Sequence, residues 1–152
     1  MKFTSFLVAA MLVFSSCEKE DDTIVNDPVN NTPSFTWKID GNSFSDNSPL
    51  VSINPSDVLT INASDNSVDI RLIIYDFSSK VNDSEVQFGI LGINNAFVTQ
   101  NDVVHPETDN GKLTFSEIGE SKLSGTFNFT SHETTNWNIV TVTDGQFSNI
   151  TY

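Results

Sequence analysis

From Phe35 onward, apolar residues recur at every second position. Phe35, Trp37 and Ile39 alternate with Thr36, Lys38 and Asp40, and Asp40-Gly41-Asn42 supplies a turn that returns the chain through Phe44. Leu50-Val51-Ser52-Ile53 and Val58 to Ala63 read as two further strands, separated by the turn cluster Asn54-Pro55-Ser56. Asp65-Asn66-Ser67 leads into a strand from Val68 to Phe77. Val68, Ile70, Leu72 and Ile74 form one of its faces. Asp69, Arg71, Ile73 and Tyr75 form the other, which turns apolar over its second half and predicts a central place in the sheet. Val86 to Ile93 continues the alternation, with Gly89 and Gly92 suited to a bulge. Asn94 to Asn110 is the least regular part, with short strands expected at Ala96-Phe97-Val98 and Val103-Val104 on either side of a long loop. Gly111 to Ile118 and Lys122 to Thr130 flank a turn at Gly119-Glu120-Ser121, and the second places Leu123, Gly125, Phe127 and Phe129 on one side. Trp137 to Thr143 is expected as a strand, Asp144-Gly145 as a tight turn and Gln146 to Tyr152 as the last strand. The pattern predicts an all-β fold: an antiparallel β-sandwich of about eight to ten short strands, with a small β-barrel as the alternative.

The first 22 residues follow a different rule. Lys2 is a basic start, Phe3 to Phe14 is almost wholly apolar, and Ser15-Ser16 precede Cys17, the single cysteine of the chain. Basic, apolar and small segments in that order are the parts of a secretory signal. The apolar run is too short for a bilayer core of ~30 Å, which needs about 20 residues. Residues 1–16 therefore read as a signal peptide. Glu18 to Ser34 is rich in Asp, Asn, Thr and Pro, with only Ile24, Val25 and Val29 as apolar side chains, too few to offset chain entropy. Residues 17–34 read as a flexible tether and 35–152 as the folded domain.

Phe14-Ser15-Ser16-Cys17 resembles the lipobox of bacterial lipoproteins, although Phe14 stands where Leu is usual. The resemblance implies cleavage before Cys17 and lipidation of its thiol, with several acyl chains giving the stable anchoring that one chain does not. Glu18-Lys19-Glu20-Asp21-Asp22 follows, and Lys19, Glu20, Asp21 and Asp22 are similar to the signal that carries Bacteroidota lipoproteins to the outer face of the outer membrane. Asp22-Thr23-Ile24 resembles the O-glycan acceptor triplet of the same phylum, which implies Thr23 as a modified residue. Leu123-Ser124-Gly125-Thr126-Phe127-Asn128-Phe129 and Val142-Thr143-Asp144-Gly145-Gln146-Phe147-Ser148-Asn149-Ile150 look like the C-terminal pattern of a group of uncharacterised Bacteroidota lipoproteins. These start with a strand similar to Phe35-Thr36-Trp37-Lys38-Ile39-Asp40-Gly41. That group implies a fold and an address and brings no established activity.

Charge narrows the partners. Of the 152 residues, 20 are acidic and seven are Lys or Arg, a net charge of −13. Such a surface repels phosphate backbones and anionic headgroups, which argues against nucleic acid and leaves attachment to the membrane to the N-terminal lipid. Once the signal is removed, Cys17 is the sole cysteine, so no disulfide forms within the chain and stability must come from burial. The chain has twelve phenylalanines, most of them beyond the signal, which makes that feasible, each worth about 1.5–3 kcal/mol when buried.

Candidate chemistry is sparse. His105 and His132 are the two histidines, both in polar stretches that predict exposed loops, and no Gly-x-Ser-x-Gly elbow accompanies them. Zinc is poorly served by two separated histidines. Calcium could draw on Asp65, Asn66 and Asp69, or on Asp102, Glu107 and Asp109, but neither set has EF-hand spacing, and Asp and Asn are ordinary turn residues. Paired carboxylates for glycoside hydrolysis are inevitable among so many acids and discriminate nothing. Trp37 shares a face with Phe35 and Ile39 and is expected in the core. Trp137, between Asn136 and Asn138, is the candidate for exposure and ligand contact. The reading is an outer-membrane, cell-surface lipoprotein acting as a non-catalytic binding or structural module, with no cofactor, no metal and an unspecified glycan or protein partner. An accessory glycan-binding protein is the first alternative, and a hydrolase or metal-dependent enzyme the second.

Overall fold

The computed structural model describes residues 32–89 and 92–152. Within them the period-two segments become eleven strands: β1 (Ser34–Ile39), β2 (Asn42–Asp46), β3 (Leu50–Ile53), β4 (Leu59–Asp65), β5 (Val68–Ile74), β6 (Glu85–Gly89), β7 (Asn95–Gln100), β8 (Val103–His105), β9 (Glu107–Ile118), β10 (Lys122–His132) and β11 (Ile139–Thr151). A single 3₁₀ turn, Phe77–Ser79, interrupts them. Two antiparallel sheets result, with strand orders β2-β1-β11-β10-β9-β6 and β3-β4-β5-β7-β8. They pack as a sandwich and do not close into a barrel. As the doubly apolar pattern implied, β5 is the middle strand of its sheet.

The inward residues of both sheets merge into one core. Phe35, Trp37, Leu59, Ile61, Ile70, Leu72, Leu113, Phe115, Leu123, Val142 and Phe147 are all buried. Its six-stranded side is aromatic: the Phe35 ring lies 5.0 Å from Phe127 and 6.2 Å from Phe147, and Phe115 meets Phe147 edge-on at 6.1 Å. Trp37 is core, as its face predicted, and stacks on Phe44 at 5.7 Å.

Left-handed residues supply most of the turns. Asp40 and Gly41 (φ 50° and 78°) form the two-residue turn between β1 and β2, and Asn101 and Asp102 (φ 51° and 65°) form that between β7 and β8. The second tight turn explains why the long loop expected around Asn94 to Asn110 is largely strand.

The strands number eleven among the described residues, with β2 and β8 as short strands at sheet edges. Two expectations are corrected. Asp144-Gly145 is not a turn: β11 runs unbroken from Ile139 to Thr151, and Asp144 (φ 50°) sits in a bulge where the register to both β1 and β10 shifts. The histidines are not exposed. His105 closes β8 and His132 closes β10, and both are buried because each strand extends further than its polar sequence suggested. The signal peptide, Cys17, the Lys19 to Asp22 run, Thr23 and residues 17–31 of the tether lie outside the described residues.

Candidate ligand-binding site

At one end of the six-stranded sheet, the start of β9 meets the end of β10. Glu107 pairs with His132 and Thr108 with Ser131, while His132 also faces Ile139 at the start of β11. Thr108 ties this corner to the other sheet: its hydroxyl donates to the Ala96 carbonyl at 2.6 Å and accepts from the Ala96 N–H at 3.1 Å. The corner is thus fixed from both layers.

Residues 133–138 connect β10 to β11, and one carboxylate organises them. Glu133 accepts from Asn138 Nδ2 at 2.7 Å and from Asn136 Nδ2 at 3.4 Å. On the backbone, the Glu133 N–H donates to the Asn138 carbonyl (3.0 Å) and the Trp137 N–H to the Glu133 carbonyl (3.1 Å). This closure forces Trp137 into the left-handed region, at φ 56°. Ten described non-glycine residues have positive φ, and nine of them are Asp or Asn, whose short polar side chains tolerate it. Trp137 is the exception. A bulky residue there costs of order 1–3 kcal/mol, a strain that in other proteins concentrates at ligand clamps and switch regions.

The indole so placed lies flat on the His132 imidazole, with ring centroids 4.4 Å apart and an interplanar angle of 12°. Trp137 nevertheless remains 69% exposed, so the indole is open to solvent on the side away from the imidazole. Beneath it, His132 Nδ1 is 2.9 Å from Asp109 Oδ1, near enough for an ion pair but out of line for a hydrogen bond. Glu107, Thr108, Asp109, His132, Thr134 and Trp137 enclose an open pocket of about 330 Å³. It offers a flat apolar face edged by carboxylates and a hydroxyl. That combination suits a ligand with one flat apolar side and hydroxyl or amide groups at its rim.

The structure brings together only some of the residues singled out from the sequence. Trp137 is in the pocket but in the loop that precedes β11, and the strand expected to begin with it begins two residues later, at Ile139. Glu107 and Asp109 meet there, whereas Asp102 lies away in the β7–β8 turn. Asp65 is spent on the Ser45 N–H (2.7 Å) and the Asn66 amide, and Asp69 points outward from β5. Among the described residues no three His, Cys, Asp or Glu side chains converge as a metal would require. His105 is buried opposite Val98 and does not line the pocket. His132, Asp109, Glu107 and Thr134 were not foreseen as neighbours of Trp137. The usable signal was a tryptophan inside a run of turn-forming residues, Glu133-Thr134-Thr135-Asn136-Trp137-Asn138.

A family model described as Domain of unknown function (DUF6252) matches residues 31–151. The chain belongs to this family. The match spans the whole sandwich, so the Trp137 pocket and the bulged β11 both lie within the DUF6252 domain. No curated protein and no solved structure matches it.

Proposed function

We propose that this DUF6252 protein is a lipid-anchored lipoprotein of the outer membrane, displayed at the cell surface, whose sandwich is a non-catalytic binding module. Phe14-Ser15-Ser16-Cys17 supports the anchor, and Lys19 to Asp22 support the surface address. The observation that carries the binding role is Trp137, held exposed and strained on His132. An indole with no task on the surface would be expected in a relaxed conformation or folded against the core. Around the indole the polar groups hold the loop in shape: Glu133 is engaged by two amides, and His132 lies between Trp137 and Asp109. Accessory capture of glycans is the second reading, favoured by an aromatic face edged with carboxylates and a hydroxyl, which matches the C–H face and hydroxyl rim of a sugar ring.

The test is metabolic labelling with a fatty-acid analogue of wild type and Cys17→Ala, followed by protease shaving of intact cells. Label lost in Cys17→Ala and wild-type protein removed by external protease are expected. Wild type without label would sink the anchor, and labelled but fully protected protein would sink the surface address. The binding role is tested separately. Glycan and surface-protein arrays probed with wild type and Trp137→Ala should give at least one signal that the variant loses, and a variant that loses none of the wild-type signals would overturn the assignment of Trp137.

A further inference from the structure

The two outer faces of the sandwich differ. That of the six-stranded sheet carries hydroxyls and amides (Thr36, Thr114, Thr126, Gln146) and two ion pairs, Lys38–Asp144 and Lys112–Glu85. That of the five-stranded sheet carries a groove of about 680 Å³ in which Phe97 lies beside Arg71, the only arginine of the chain. The strand register orders this groove into two rows. Leu50, Asn62, Arg71 and Phe97 are direct cross-strand partners over β3, β4, β5 and β7. Ser64, Asp69, Thr99 and Val104 are partners over β4, β5, β7 and β8. Each row crosses three strand spacings, about 14 Å in all.

The rows place a guanidinium, a carboxylate, an amide, hydroxyls and apolar side chains on one face. Arg71 and Asp69 are two residues apart on the same face of β5, yet among the described residues the guanidinium makes no ion pair with any carboxylate. Instead Arg71 Nε donates to Asn62 Oδ1 at 2.7 Å, which holds the side chain across the sheet and leaves its terminal nitrogens as donors. Asp69 contributes only acceptors, Asn62 and Thr99 both kinds, and Phe97, Leu50 and Val104 apolar surface between them.

We infer that this groove is a second binding site, separate from the Trp137 pocket, and that its occupant is an uncharged oligosaccharide laid across the strands. Charge selects against the other flat-and-polar ligands. A net charge of −13 opposes an anionic chain, and within the groove the one guanidinium, Arg71, stands beside the one carboxylate, Asp69, so the lining itself favours neither sign. A neutral polyol uses both: vicinal hydroxyls accept from the Arg71 fork and donate to the Asp69 carboxylate, while a ring face covers Phe97. Pro106 lines this groove and Glu107 lines the Trp137 pocket, so consecutive residues border the two sites.

The ligand class shares the glycan reading above, but the location does not depend on Trp137, and the experiment separates them. The mature chain is applied to an array of neutral polysaccharides, and the best binder's hexasaccharide is titrated by calorimetry beside hexagalacturonate as the acidic control. Binding by the neutral ligand is expected, weakened roughly tenfold by Asp69→Asn and by Phe97→Ala, with Trp137→Ala changing it less than twofold. Asp69 is exposed, so Asp69→Asn should keep the wild-type thermal midpoint; Phe97 is half-buried, so binding by Phe97→Ala is measured well below its own midpoint, and circular dichroism verifies the fold of both variants. No neutral binder on the array, tighter binding of hexagalacturonate, or binding unmoved by both groove variants would overturn the proposal. Loss with Trp137→Ala alone would assign the sugar to the pocket and overturn the groove.

Discussion

Trp137 combines two energies of opposite sign, and substitutions can separate them. Its indole gains the stack on His132 at 4.4 Å, while its backbone sits at φ 56°, where a Cβ is unfavourable. Trp137→Ala removes the stack and keeps the Cβ. Trp137→Gly removes both. The difference between the two variants therefore reports the backbone term alone, with a small correction because glycine also loosens the unfolded chain. The glycine variant is expected to be more stable than the alanine variant by about 1 kcal/mol, read from urea midpoints at equal slope. An alanine variant equal to or more stable than the glycine one would mean that the loop relaxes out of the left-handed region once the ring is gone. Residue identity alone could not reveal this. An exposed tryptophan was legible from its Asn neighbours, but its stack on His132 was not, because it depends on the left-handed turn that the Glu133 loop imposes, and the approach of Glu107 and Asp109 was hidden by two register shifts between β10 and β9, at Ser124/Gly125 and Thr130/Ser131.

At the scale of elements, the alternation of side chains made the sandwich readable, and bulges hid its details. Val68 to Ile74 could be placed centrally because both of its faces become apolar, and the β1–β2 hairpin could be placed because Asp40-Gly41 is suited to a left-handed pair. Asp144-Gly145 has the same turn chemistry and forms no turn. What differs is tertiary. Both flanks of β11 are occupied, by β1 and by β10, so the extra residue is absorbed as a bulge instead of reversing the chain. Gly145 is needed there for space: a Cβ would lie 2.5 Å from the Phe127 carbonyl oxygen and 2.5 Å from its ring. The ring could move, but the carbonyl belongs to β10 and cannot. Gly145→Ala is thus expected to destabilise the domain by about 2–3 kcal/mol. Adding Phe127→Leu should recover little of the loss, since the backbone contact survives. Full recovery in that double variant would place the strain in the ring and refute the backbone account.

The chain carries a net charge of −13 and its folded domain has no cysteine to form a disulfide, so its stability should depend on salt in a direction set by self-repulsion. Two exposed ion pairs oppose this trend, Lys38–Asp144 at 3.0 Å and Lys112–Glu85 at 3.1 Å, and exposed pairs are each worth about 0–1 kcal/mol. Screening weakens both effects, but unequally. The Debye length falls from about 30 Å at 0.01 M to about 8 Å at 0.15 M. A domain of this size has a radius of gyration near 13 Å, so at low salt nearly every carboxylate senses every other, and at 0.15 M only its neighbours. Partners at 3 Å lie well inside both lengths and lose less. Added sodium chloride should therefore raise the thermal midpoint, by roughly 3–6 °C if the relief is about 1 kcal/mol. The timing of the rise is the sharper criterion: most of it should occur below about 0.15 M, where the Debye length changes fastest, whereas preferential exclusion of salt continues to act at higher concentrations. A midpoint that falls in this range would mean that the two ion pairs outweigh the repulsion of the remaining acids, and the acidic surface would then have to be explained by solubility alone.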